Sequence, residues 1–113
     1  MKKQYRIKSN IEFQTLISNK NFISNKEFVF YFNDAKLNHG RIGISVGKKL
    51  GIAVKRNLWK RQAREIINDV IDLDSFKYDG ILLVRKDFTT QSFDKNKKSL
   101  ENLLNKVYNY NRK

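Results

Sequence analysis

"RIGISVGKKLGIAVKRNLWKRQARE", residues 41–65, changes its hydrophobic period part-way along. In residues 41–46, Ile42, Ile44 and Val46 alternate with Arg41, Gly43 and Ser45, the period-2 pattern of a strand with one buried face. From about Val54 to about Leu73 the apolar residues recur at helical spacing, which predicts a long helix. Residues 47–54 form a glycine-containing connection between the two. A strand leading into a helix needs further strands to complete a sheet, and the flanking sequence supplies them.

Upstream, "SNIEFQTLIS" opens a helix in which Ser9 is the candidate N-cap and Glu12 stands at the capping-box spacing. Ile11, Leu16, Phe13 and Ile17 are its candidate apolar contacts, and it should end near Asn19 to Asn21. "KEFVFYF", residues 26–32, is aromatic and β-branched and reads as a strand, with Phe22 and Ile23 as a possible short strand before it. "NDAKLNHG" is a polar connection. Downstream, "DGILLVRK" gives a strand around Ile81 to Arg85. "TTQSFDKNKKSLENLLNKVYNY", residues 89–110, closes with an amphipathic helix whose apolar side carries Phe93, Leu100, Leu103, Leu104 and Val107. Helix, two or three strands, helix, strand, helix describes an α+β sandwich: helices packed on a small mixed sheet. At 113 residues, without linker-like segments or repeats, residues 1–113 should make one domain.

The formal net charge is +13, and its distribution is uneven. Between Ala35 and Arg64 there are nine Lys or Arg and no acid. Such a block is the electrostatic footprint of a nucleic-acid partner, or less often of anionic lipid. On a helical projection with Arg56 at zero, Lys60, Arg64, Asn57 and Arg61 fall at about 40°, 80°, 100° and 140°. Trp59, Ala63, Ile66, Ile67 and Val70 fall between about 280° and 20°. A basic stripe therefore lies beside a core seam. The alternative is a solvated face balanced by acids. It conflicts with the like-signed i,i+4 spacing of Arg56, Lys60 and Arg64, which weakens a helix unless an anion compensates. Lys48, Lys49 and Lys55 extend the basic surface around the start of the helix, where unpaired amides add an anion preference. "GKKLG" lacks the spacing of a phosphate-binding P-loop, so Gly47 and Gly51 are read as turn geometry.

Composition narrows the remaining classes. The absence of cysteine excludes disulfides and thiolate metal sites and fits a reducing, cytoplasmic setting. The charged N-terminus is not followed by an apolar run, so no signal peptide is expected, and no stretch approaches the ~20 apolar residues of a membrane span. No catalytic constellation is visible. The sole histidine, His39, lies in a polar turn, and Asp69, Asp72 and Asp74 read as charge balance rather than metal ligands. An autonomous protein nuclease would need such a constellation. A structural RNA-binding protein, such as a ribosomal one, remains compatible with the composition.

The ordered blocks "RIKSNIEFQTL", "EFVFYF", "RIGISVGKKLGIAVKRNLWKRQARE" and "DGILLVRK", covering about residues 5–106, resemble the bacterial ribonuclease P protein subunit. The resemblance implies an α-β-β-β-α-β-α sandwich with a left-handed βαβ crossover. It also implies a protein that assists a catalytic RNA in removing the 5′ leader of precursor tRNA. The RNA would carry the hydrolysis with Mg²⁺, with no organic cofactor and no obligate protein partner. Lys48, Lys49, Arg56, Asn57, Lys60, Arg61 and Arg64 match the family's RNA-facing loop and helix. Phe13 matches an aromatic lining the leader cleft, Tyr31 an aromatic on the sheet, and Ser45 a small polar residue on a strand. Ile17 replaces a second cleft aromatic, Leu58 replaces a third basic contact after Arg56-Asn57, and Ile52 replaces the usual Asn after the loop glycine. Basic side chains neutralise phosphates, and exposed aromatics stack single-stranded bases without strong sequence preference. Taken singly, Phe13 and Tyr31 are as readily explained by core packing.

Overall fold

The computed structural model describes residues 2–19 and 21–108. Its elements are α1 (Asn10–Ser18), β1 (Phe22–Ser24), β2 (Phe28–Asp34), β3 (Arg41–Val46), α2 (Ala53–Val70), β4 (Tyr78–Val84) and α3 (Phe93–Tyr108). The sheet order is β1-β2-β4-β3. β1 with β2 and β2 with β4 are antiparallel, whereas β3 and β4 are parallel and joined through α2. The mixed α+β sandwich expected from the sequence is therefore present. The expected extension of the last helix to Asn109 and Tyr110 lies outside the described residues.

The two faces of the sheet do different work. Alternation in β2 sends Phe28, Phe30 and Phe32 into the main core, with Ile42 and Val46 of β3 and Leu82 and Val84 of β4. α2 closes this face with Ala63, Ile66 and Ile67, and α3 with Leu100, Leu103, Leu104 and Val107. Phe30 and Phe32 stack at 5.8 Å, and Phe28 meets Phe88 edge-on at 5.5 Å. α1 lies on the opposite face over a smaller cluster of Ile7, Leu16 and Ile81. β4 is central and covered on both sides, which explains its nearly continuous apolar run.

Several boundaries depart from the sequence expectation, each for a local reason. β2 begins at Phe28 because Asn25 Oδ1 accepts the Glu27 and Phe28 amides at 3.1 and 2.9 Å, which makes residues 25–27 a turn. β4 begins at Tyr78 because pairing with β2 continues down to Asp34. α2 stops at Val70, where Ile71 turns extended and sends Ile71 and Leu73 into the core. Ile11, a candidate contact of α1, is 78% exposed, and Phe13, Leu16 and Ile17 carry that helix's packing. β3 is also not buried on one face alone, because Gly43 is covered by α1.

Ser9 caps α1 by accepting the Glu12 amide at 3.5 Å. The Glu12 carboxylate does not close the capping box. It is taken by Arg41, which reaches Glu12 at 2.6 Å and Asp79 at 2.8 Å. This triad fastens α1 to β3 and β4. Asp79 and, to a lesser extent, Glu12 hold the Arg41 pKa above its ordinary value despite the opposing effect of burial. One of the nine cations in the acid-free block is thus committed to the fold.

Candidate nucleic-acid interface

β3 is an edge strand. The N-terminal segment pairs with it only at Arg6 and Ile42. Among the described residues, no other strand covers the edge from Gly43 to Val46. A groove follows this open edge between α1 and α2. A cavity of about 480 Å³ lies between Lys8, Phe13, Gln14, Ile17, Ser45 and Lys60. A smaller one of about 100 Å³ lies between Arg6, Lys8, Phe13, Gly43 and Arg64.

Gly43 makes the floor possible. A Cβ there would lie 2.6 Å from Phe13 Cζ, so only glycine lets the tip of the aromatic ring approach the strand this closely. Phe13, Ile17, Tyr31 and Leu83 are all partly buried and pack on the same cluster beneath α1. Phe13 is therefore both a packing residue and part of the groove wall.

The groove walls are cationic. Arg6 and Lys8 come from the N-terminal segment, and Lys60 and Arg64 from α2. No Asp or Glu lines either cavity. Burial, followed by the nearby positive charge of Arg6, lowers the Arg64 pKa. Arg6 Nε is buried without a hydrogen-bond partner. Two guanidinium groups held close without a carboxylate favour an anion between or beside them. Sequence reading missed Arg6 and Lys8. Their signal is the alternation around Ile7, which is buried while its two basic neighbours point elsewhere.

The basic stripe of α2 thus divides between two surfaces. Lys60 and Arg64 share cavities with Phe13, whereas Asn57 and Arg61 are exposed away from the core. Lys48, Lys49 and Lys55 are also exposed, around the helix start. Arg56 is half-buried and donates Nε–H to Gly51 O at 3.1 Å, tying the loop to the helix. The loop is anchored further by Trp59, whose ring a Cβ at Gly51 would meet at 3.0 Å. Gly51 is therefore explained by close approach. Gly47 has φ of −66° and open space around it, so turn geometry does not require glycine there. Ile52 gives α2 no side-chain cap, and no acid stands in the first turn, which leaves the helix start attractive to anions.

Among the described residues, no group of three His, Cys, Asp or Glu side chains could hold a metal ion. Asp69 pairs with Lys97 at 3.3 Å, Asp72 accepts the Asp74 amide and the Ser75 hydroxyl, and Asp74 accepts the Tyr5 hydroxyl at 2.5 Å. His39 packs against the edge of Tyr5, with Nδ1 2.9 Å from Gly40 O. None of these groups faces the groove. Among the described residues no helix is long and apolar enough to cross a membrane.

A protein-family model described as Ribonuclease P matches residues 1–108. The chain belongs to the ribonuclease P family. It is 39% identical over 113 residues to the ribonuclease P protein component of Mycoplasmopsis pulmonis, covering 100% of both chains. It is 46% identical over 105 residues to that of Mesoplasma florum, covering 92% of this chain and 96% of the relative. Among solved structures, the Staphylococcus aureus RNase P protein matches with a TM-score of 0.80 at 36% identity, covering 91% and 94% of the two chains. The Thermotoga maritima RNase P protein matches at 0.76 and 28%, covering 88% and 94%. The ordered blocks and the fold thus agree on the ribonuclease P family, and a ribosomal-type protein is disfavoured.

Proposed function

We propose that the chain is the protein subunit of a ribonuclease P ribonucleoprotein and that it serves two RNA segments. The outer face of α2, with Asn57 and Arg61, and the neighbouring Lys48, Lys49 and Lys55 hold the catalytic RNA. The groove of Phe13, Ile17 and Ser45, with Tyr31 on the adjoining sheet face, receives the single-stranded 5′ leader of precursor tRNA. Lys60 and Arg64 neutralise its phosphates. The observation that carries this reading is the pairing of an aromatic ring, Phe13, with cationic, acid-free groove walls. Phosphate neutralisation and base stacking are the two interactions that bind single strands of varied sequence.

The chain's part in the reaction is to bind and orient. The catalytic RNA and the substrate hold Mg²⁺, which supplies the charge stabilisation for phosphodiester hydrolysis. The protein's own donor set does not suit that ion, because no Asp or Glu lines either groove cavity and the nearby Glu12 and Asp79 are held by Arg41. Reconstitution tests the assignment. Precursor tRNA is incubated at low Mg²⁺ with rigorously RNA-free protein, with the catalytic RNA, and with both. Leader removal is expected only where the RNA is present, with the protein increasing its rate. Cleavage by RNA-free protein would overturn it.

A further inference from the structure

Five large hydrophobic side chains are exposed among the described residues, and Phe22 is the only aromatic one. It is 51% exposed and lies on β1, the opposite edge strand from β3. The register pairs Phe22 with Tyr31, Tyr31 with Ile81, and Ile81 with Gly43. These four residues form a row across the sheet face that carries α1. α1 covers the Gly43–Ile81 end of the row, with Phe13 on Gly43 and Leu16 in the cluster with Ile81. Tyr31 packs at the margin of that cluster, and Phe22 lies beyond it. The neighbouring row, Ser45–Leu83–Val29–Ser24, has no fully buried member, so the sheet face continues from the groove toward β1.

We infer that Phe22, supported by Tyr31, is a second base-stacking position that takes an unpaired nucleobase of the RNA strand leaving the groove. This rests on the leader-groove reading above. The rings of Phe22 and Tyr31 are 5.4 Å apart and tilted by 44°. Tyr31 is held by its packing with the α1 cluster, and about half of Phe22 is exposed to solvent. Three strand spacings of about 4.8 Å separate β3 from β1, or roughly 14 Å, so an extended strand rounding the end of α1 can touch both sites. A half-exposed aromatic is costly in water. A base stacked on it removes apolar surface from solvent and needs no sequence-specific hydrogen bond. The competing explanation is that Phe22 only stabilises the hairpin as a cross-strand partner of Tyr31.

The test uses the reconstituted ribonucleoprotein with Phe22→Ala, Phe22→Leu and Phe22→Trp, each first checked for unchanged thermal unfolding. Affinities are measured for mature tRNA and for precursor tRNA whose leader is shortened stepwise from its 5′ end. 2-Aminopurine is also placed at successive leader positions as a stacking probe. Phe22→Ala should weaken binding of the long-leader precursor about fivefold to tenfold, the lower part of the range for one lost stack. It should leave mature tRNA and short-leader precursor unaffected and restore fluorescence at one leader position. Phe22→Trp should retain affinity, and Phe22→Leu, equally apolar but unable to stack, should not. Unchanged affinity and fluorescence in folded Phe22→Ala would overturn the inference, as would full retention by Phe22→Leu. Phe13→Ala serves as the control. If it discriminates precursor from mature tRNA and Phe22→Ala does not, the second site is wrong and the groove stands. If neither discriminates, both are wrong.

Discussion

Replacing Gly43 with Ala should damage the groove from beneath. The added methyl carbon would lie 2.6 Å from Phe13 Cζ, 2.9 Å from Phe13 Cε2 and 2.9 Å from Ile81 Cδ1. Ile81 Cδ1 is the end of a flexible chain and can rotate, but the Phe13 ring must lift off the strand. Overpacking of this kind costs about 1–3 kcal/mol. Removing a strand glycine returns about 0.5–1 kcal/mol. The net loss lies between about 0 and 2.5 kcal/mol, with a central value of roughly 1.2 kcal/mol. For 113 residues the unfolding entropy is about 0.24 kcal/mol per degree, so Tm should fall by roughly 5 °C and by no more than about 10 °C. In a Phe13→Ala background the obstruction is gone, and the same Gly43→Ala change should become neutral or slightly stabilising. Thermal unfolding of the four proteins, followed by circular dichroism, measures this reversal. An equal fall in Tm in both backgrounds would refute the reasoning, since it would mean that Phe13 does not lie on Gly43. The single variant should also bind precursor tRNA about fivefold or more weakly while retaining mature tRNA.

Arg61→Ala should weaken assembly with the catalytic RNA and reduce the slope of log K against log salt by about one unit, whereas Arg64→Ala should act mainly on precursor binding; titrations at several salt concentrations separate the two. Asp79→Asn should cost about 1.5–3 kcal/mol, because it weakens charge-assisted hydrogen bonds to a largely buried Arg41 that keeps only Glu12 as its carboxylate partner, and denaturant unfolding measures that loss. Burial raises the Glu27 pKa, but hydrogen bonds from Ser99 at 2.7 Å and Gln91 at 2.9 Å outweigh it and hold the pKa below the ordinary value. The stability this contributes is complete above the unfolded value of about 4.3 and is lost as pH falls through the lower folded value. Glu27→Gln should therefore lower Tm at neutral pH and flatten the acid limb; an unchanged acid limb would contradict this.

The elements were legible because each carries its own period. Residues 41–46 alternate strictly and form a strand with those bounds, and the seam of Ala63, Ile66 and Ile67 is the buried face of α2. What the sequence hid lies in the relations between elements. Gly43 looked like one outward position of a half-buried strand, and only the path of α1 across it shows why a side chain is excluded. Glu12 had the spacing of a capping box, yet a guanidinium 29 residues away offers its carboxylate a stronger partner than the Ser9 amide. Arg6 and Lys8 gave little local signal, because a few residues at a chain end acquire meaning only when Arg6 pairs with the edge of β3. The division of the α2 stripe was hidden for a related reason. A helical projection orders side chains by angle but does not say which angle faces a groove.

Site-specific photocrosslinking tests most directly whether the chain presents two RNA surfaces. A crosslinker is placed in turn at position 17, in the groove, and at position 61, on the outer face of α2, within the ribonucleoprotein bound to precursor tRNA. The account predicts that the probe at 17 labels the 5′ leader and loses its target when mature tRNA replaces the precursor. The probe at 61 should label the catalytic RNA in both cases. Labelling of the catalytic RNA from position 17, unchanged by removal of the leader, would contradict it.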